Sequence, residues 1–239
     1  MTPIYILNLD RRKDRRQHME NEIKKQNFSD DIKIIFVNAV DGQNINMESL
    51  FKDYGVKLYD KWKLDNCSEN KYYSMDINSG QIGCALSNFN IWDKIVNSED
   101  DYAIILQDDV ILSSNFEKIT IDAINILINK KNWLLYLGRE RLEDDEEEVV
   151  NTNLVYPGFS YCLHSYVISK QTAKILLDDN YMINLIPTDD YVPAVCGEGW
   201  REDIKKLFPE KIEAFALKED IAYQEGKLLG SDIEIGEFD

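Results

Sequence analysis

Residues 102–112 read YAIILQDDVIL, an apolar and β-branched run that ends abruptly in two adjacent carboxylates and then turns apolar again. A run as short and hydrophobic as Ala103 to Leu106 predicts a strand buried on both faces, the kind found inside an α/β sheet. Asp108 and Asp109 then emerge at its carboxyl end, where open α/β sheets bind ligands. A strand that delivers two carboxylates out of a core must satisfy them with a cation or with several donors. The pair therefore reads as a metal or substrate site, with a strand-end cap as the plainer alternative.

Acidic pairs are common in this chain, which carries 44 Asp and Glu against 27 Lys and Arg. Those at Asp30, Asp100, Asp144 and Asp178 read as solvated turns or helix starts, and only the context of Asp108 and Asp109 sets them apart. The net charge of −17 argues against binding nucleic acid, which needs clustered Lys and Arg to release counterions. It also makes an anionic ligand hard to hold without a divalent cation. Four cysteines without CxxC spacing and only two histidines, His18 and His164, argue against zinc. Asn27 and Asn66 begin glycosylation sequons, a pattern common by chance. No basic leader or bilayer-length apolar segment is visible, so the chain is expected to be soluble and cytoplasmic.

Pro3 to Leu9 predicts a first strand, Asp10 to Gln26 a charged helix with Met19 and Ile23 on one face, and Ile32 to Val40 a second strand, a β-α-β opening. Residues 41–78 read as loops and short helices that shape a pocket. Ser79 to Val96 predicts a helix, as do Phe116 to Ile128 and Lys170 to Leu177. Trp133 to Leu137 and Tyr166 to Ile168 predict strands, the former stopped by Gly138. The run Glu143 to Glu148 reads as a solvated loop. Thr188 is placed as the N-cap of a further helix with Asp189 and Asp190 in its first turn, where the macrodipole favours them; that placement competes with a catalytic role.

Seven ordered segments together resemble glycosyltransferase family 25, in particular its collagen hydroxylysine galactosyltransferase branch. They are IYILNLDRRKDRR (4–16), GQIGCALSNFNIW (80–92), ILQDDV (105–110), WLLYLGRER (133–141), SYVIS (165–169), IPTDDYVP (186–193) and AFALKEDIAYQEGKLLGSDIE (214–234). The resemblance implies an α/β, GT-A type Rossmann-like domain over 1–239 with a mixed, mostly parallel sheet. Residues 1–110 would form mainly its nucleotide-sugar side, and residues 133–239 its acceptor side and tail. It implies an inverting transfer of galactose or glucose from UDP-galactose or UDP-glucose to a hydroxyl acceptor, with Mn²⁺ or Mg²⁺. The acceptor would be hydroxylysine of a collagen-like protein or, as in other members, a lipooligosaccharide glycan.

Carried onto this chain, the resemblance makes Asp109 and Asp232 metal ligands and Asp190 or Asp189 the base. Asn8 and Leu9 would meet uracil and ribose, Arg15 or Arg16 the diphosphate, and Gln107 and Asp108 the ribose and the metal's surroundings. Gly83, Arg139, Gln224 and Ser231 complete the expected donor side. For the two arginines, a solvated helix face is the plain alternative. Two positions depart from the family: Gln107 stands where a Glu is usual and adds no charge at the metal, and Asn88 stands where a His is usual and cannot transfer a proton. They motivate a rival reading, a decayed transferase that binds nucleotide-sugar or glycan. A phosphotransferase or a dinucleotide oxidoreductase lacks support, because no P-loop and no GxGxxG follows either strand.

Overall fold

Thr2–Asn8 (β1) is buried at every position, and its side chains divide by parity: Tyr5 and Leu7 enter one apolar core while Ile4 and Ile6 enter another. Period-two alternation with both faces apolar requires a layer of structure on each side of the sheet. The computed structural model, which describes residues 1–65, 71–141, 147–178, 180–225, 229–230 and 232, supplies both layers.

After β1 come α1 (Lys13–Gln26), β2 (Ile32–Asn38), a 3₁₀ turn (Gly42–Asn44), α2 (Met47–Tyr54) and a second 3₁₀ turn (Lys71–Ser74). Then follow α3 (Ser79–Val96), β3 (Tyr102–Gln107), β4 (Val110–Leu112), α4 (Phe116–Leu127), β5 (Trp133–Arg141), β6 (Leu154–Val155) and β7 (Ser160–Ser169). The remainder is α5 (Lys170–Asp178), a 3₁₀ turn (Asn180–Ile183), α6 (Thr188–Val195), α7 (Glu202–Leu207), β8 (Glu213–Leu217) and β9 (Ala222–Gln224).

The main sheet runs β2-β1-β3-β7-β5-β8-β6. Strands β2, β1 and β3 are mutually parallel, β7 is antiparallel to both β3 and β5, β8 is parallel to β5, and β6 opposes β8. The sheet is thus mixed and mostly parallel, with β7 and β6 running against the rest. β4 and β9 pair separately as a small ribbon. Helices α3, α5 and α6 cover the face that carries Tyr5, Ile105 and Tyr166; α1 and α4 cover the face that carries Ile6, Leu106 and Val167. Among the described residues no helix is long and apolar enough to cross a membrane.

Helix α3 has the range its sequence predicts, and its start is fixed by a reciprocal capping box in which Asn78 accepts from the Gln81 amide while the Gln81 side chain accepts from the Asn78 amide. Two boundaries differ from expectation. β5 does not stop at Gly138 but shifts register there and continues to Arg141. A Cβ at Gly138 would lie 1.9 Å from the Ala222 carbonyl oxygen, so this glycine admits a close backbone approach rather than ending the strand. Nor does Thr188 cap α6: Pro187 is the N-cap, and Thr188 lies within the helix with its hydroxyl 3.3 Å from that of Tyr181. The expected solvated loop at 143–148 falls mostly outside the described residues, but Glu147, half-buried, forms a 2.6 Å ion pair with Arg139.

Candidate active site

The carboxyl ends of β1 and β3, the start of α3, Gln224 and Asp232 line a cavity of about 420 Å³. Its walls include Leu7, Leu9, Arg11, Arg15, Asp41, Gly42, Cys84, Gln107, Asp108, Asp109, Gln224 and Asp232. Parallel neighbours β1 and β3 bring residues 8 and 108, a hundred positions apart, to the same end of the sheet.

Asp108 and Asp109 are almost fully buried. Asp108 accepts from Asn8 Nδ2 at 2.6 Å and from Arg15 Nη1 at 2.9 Å, and the same guanidinium nitrogen stands 3.2 Å from Asp109 Oδ2. Burial holds the Asp108 carboxyl above its ordinary pKa, against the lowering effect of Asn8 and Arg15. Asn8 thus orients Asp108 and does not itself line the cavity. Asp109 Oδ1 is buried and has no hydrogen-bond partner among the described residues. A buried carboxylate oxygen without a donor is the kind of atom a hard cation takes up.

Asp232 faces the same cavity. Its carboxylate pairs with Arg11 Nη1 at 2.7 Å and with Arg12 Nη1, and it lies 3.9 Å from Arg15 Nε. Among the described residues no three His, Cys, Asp or Glu side chains gather as a ready-made metal cage. Asp109 therefore fits a cation through its free oxygen, whereas Asp232 fits one only by leaving its arginines.

Other expected donor-side residues separate. Gln107 lines the cavity, its Nε2 3.5 Å from the Leu163 carbonyl and its Oε1 accepting from Gln224 Nε2 at 3.3 Å. Arg16 points away, its guanidinium 3.4 Å above the Phe36 ring and bonded to Glu20. Gly83 packs α3 on the loop that follows β2, since a Cβ there would lie 2.6 Å from the Val40 carbonyl oxygen. Arg139 is buried against Ser160 and Glu147 and is absent from the cavity wall. Ser231 lies outside the described residues. Asn88 is a buried helix residue, bonded to the Cys84 carbonyl and to the Tyr166 hydroxyl.

Asp189 and Asp190 open α6 behind α3. Asp189 accepts from the Leu163 amide at 3.0 Å, and burial raises its pKa. Asp190 accepts from Tyr73 Oη at 2.6 Å and from Tyr72 Oη at 3.3 Å. Burial, with the charge of Asp189 in addition, pushes Asp190 up to about 7 despite the tyrosine hydrogen bonds and Arg201. Its carboxyl is thus poised to exchange a proton near neutral pH. Tyr72 also receives a 3.2 Å hydrogen bond from Gln81 Nε2, and the neighbouring Asn78, Ser79 and Gly80 line the cavity, so Asp190 connects to its rim through two side chains. Cys84 carries a thiol pushed up to about 12, first by burial, and is no nucleophile at neutral pH.

Sequence reasoning did not single out Arg11, Arg12, Asp41, Tyr72 or Tyr73. The first two belong to the run DRRKDRR and were accessible to the same argument as Arg15; nothing in the sequence links Tyr73 to Asp190, 117 positions away.

A model of glycosyltransferase family 25 (LPS biosynthesis protein) matches residues 1–192, and the chain belongs to this family. It is 34% identical over 195 residues to a glycosyltransferase 25 family member of Aedes aegypti, covering 80% of this chain and 30% of the relative. Procollagen galactosyltransferase 2 of Homo sapiens is 29% identical over 226 residues, covering 92% and 34%. The probable inactive glycosyltransferase 25 family member 3 of Bos taurus is 29% identical over 220 residues, covering 90% and 35%. The chain spans about a third of the length of these relatives. Among solved structures it is similar to S. aureus TarS 1-349 in complex with UDP-GlcNAc, with a TM-score of 0.43, 9% identity, and coverage of 97% of this chain and 61% of that one.

Proposed function

We propose that this domain is an inverting glycosyltransferase that moves galactose or glucose from a UDP-sugar to a hydroxyl acceptor. The observation that carries the reading is Asp109 Oδ1, a buried, unpartnered carboxylate oxygen on a residue that lines a cavity together with Arg11 and Arg15. Mn²⁺ or Mg²⁺ bound by Asp109, with Asp232 once freed, would neutralise charge on the diphosphate. Arg11 and Arg15 orient the phosphates through charge-assisted hydrogen bonds, and Leu7 and Leu9 offer apolar wall to the uracil. Gln107 presents an amide to the ribose.

Inversion needs one base on the face opposite the leaving group. The acceptor oxygen forms its bond to the anomeric carbon as the bond to the UDP oxygen breaks, and the acceptor proton passes to a carboxylate. Asp190, ionised above about pH 7 and held by Tyr73, is the stronger candidate; Asp189 is the other. The name of the human relative favours galactose and a collagen acceptor; hydroxylysine as the acceptor side chain is what the family resemblance implies. The family description leaves a lipopolysaccharide-type glycan as the alternative acceptor.

Binding without turnover is a second reading. Gln107 removes a charge from the acidic motif, Asp232 is occupied by arginines, and one relative is named probably inactive. Titrating UDP with and without Mn²⁺, and then assaying UDP release from UDP-sugars, separates the two. A transferase binds and releases, a binding module binds only, and absence of UDP binding contradicts both.

A further inference from the structure

The three arginines beside the cavity are already occupied. Just after β9 the Glu225 amide donates a 2.7 Å hydrogen bond to the Asp109 carbonyl. Farther on, Arg12 Nη2 donates to the Leu229 carbonyl at 2.6 Å, Arg15 Nη2 donates to the Gly230 carbonyl, and the Asp232 carboxylate takes Arg11 and Arg12. In a chain of net charge −17, these are, among the described residues, the cationic groups lining or adjoining the cavity that could receive a diphosphate. Two backbone carbonyls and one carboxylate therefore present oxygens to the same guanidinium groups that phosphate oxygens would use.

Resting on the UDP-sugar reading, we propose that the Asp232 carboxylate, with the Leu229 and Gly230 carbonyls, is an internal competitor for the diphosphate subsite: Asp232 holds the arginines until a nucleoside diphosphate arrives and displaces it. The competition is electrostatic, because a dianionic or trianionic diphosphate outbids one carboxylate for the guanidinium pair yet must first break its contacts. Such a device raises the concentration of donor needed to fill the site and couples filling to release of Asp232. No covalent step is involved.

The test is UDP binding by calorimetry in the presence of a chelator, comparing the whole chain with Asp232→Asn. Without divalent cation, Asp232→Asn is expected to bind UDP about two- to five-fold more tightly, the range expected from losing a part-exposed ion pair, with the gain shrinking as salt is raised. Unchanged or weaker chelator affinity in the variant overturns the competitor, even where Mn²⁺-dependent binding persists and the transferase reading stands. Hydrogen exchange supplies the second arm: adding UDP to the unaltered chain should speed exchange of the Leu229 amide, which donates to the Glu225 carbonyl, and slowed exchange would instead mark the segment as a cover closing on the nucleotide. Absence of UDP binding by either protein, with or without Mn²⁺, overturns the parent reading and this one together.

Discussion

Asp190 accepts a 2.6 Å hydrogen bond from Tyr73 inside a wall of aromatic rings, so a carboxylate with a pKa near neutrality is stabilised in its ionised form by a single short contact. Tyr73→Phe removes that contact and disfavours ionisation. The acid limb of the kcat/KM profile should then move to higher pH than in the unaltered domain, while UDP affinity stays the same. An unmoved acid limb would assign the base elsewhere, with Asp189 the next candidate.

The same group makes folding stability depend on pH. Its folded pKa of about 7 exceeds the ordinary carboxylate value near ~4, so between those limits the native state binds more protons than the unfolded state, and stability falls as pH rises through the window. Urea titrations at successive pH values should show this decline, and Asp190→Asn should flatten it.

Arg15 is the sole cation that touches both Asp108 and Asp109 among the described residues. Removing one member of a buried charge cluster leaves the others unpaired, a loss of about 3–5 kcal/mol. Arg15→Ala should therefore unfold at markedly lower urea concentration, and a change below ~1 kcal/mol would mean that water reaches the carboxylates.

Gly83 and Gly158 make a matched pair for testing the packing of α3. A methyl at Gly83 meets the Val40 carbonyl oxygen at 2.6 Å, while one at Gly158 meets nothing within 4 Å. Gly83→Ala should cost about 1–3 kcal/mol by overpacking, and Gly158→Ala should stay within ~0.5 kcal/mol. Equal effects in thermal melts would show that the loop at Val40 yields freely.

Much of this architecture is legible in the chain because local pattern and burial agree. The four apolar residues before Gln107 have the length and composition of an interior strand, and the apolar spacing from Ile82 to Ile95 marks α3. Arg15 was separable from Arg16 in principle: Met19, four residues on, shares its buried face, whereas Arg16 lies about 100° around the helix and rests on Phe36. The insertion of antiparallel β7 between β3 and β5 was not legible, since strand order is set by long-range pairing. Gly138 misled because a glycine in a strand can end it or admit a neighbour, and Ala222, which decides the matter, is 84 positions away.

The measurement that bears most directly on the central claim is UDP release from a panel of UDP-sugars with Mn²⁺, with and without a hydroxylysine-containing collagen peptide, set beside Asp109→Asn. The account predicts acceptor-stimulated release with one sugar, lost in the variant together with Mn²⁺-dependent UDP binding. Unchanged Mn²⁺ and UDP affinity in Asp109→Asn would contradict the assignment of the cation to this carboxylate.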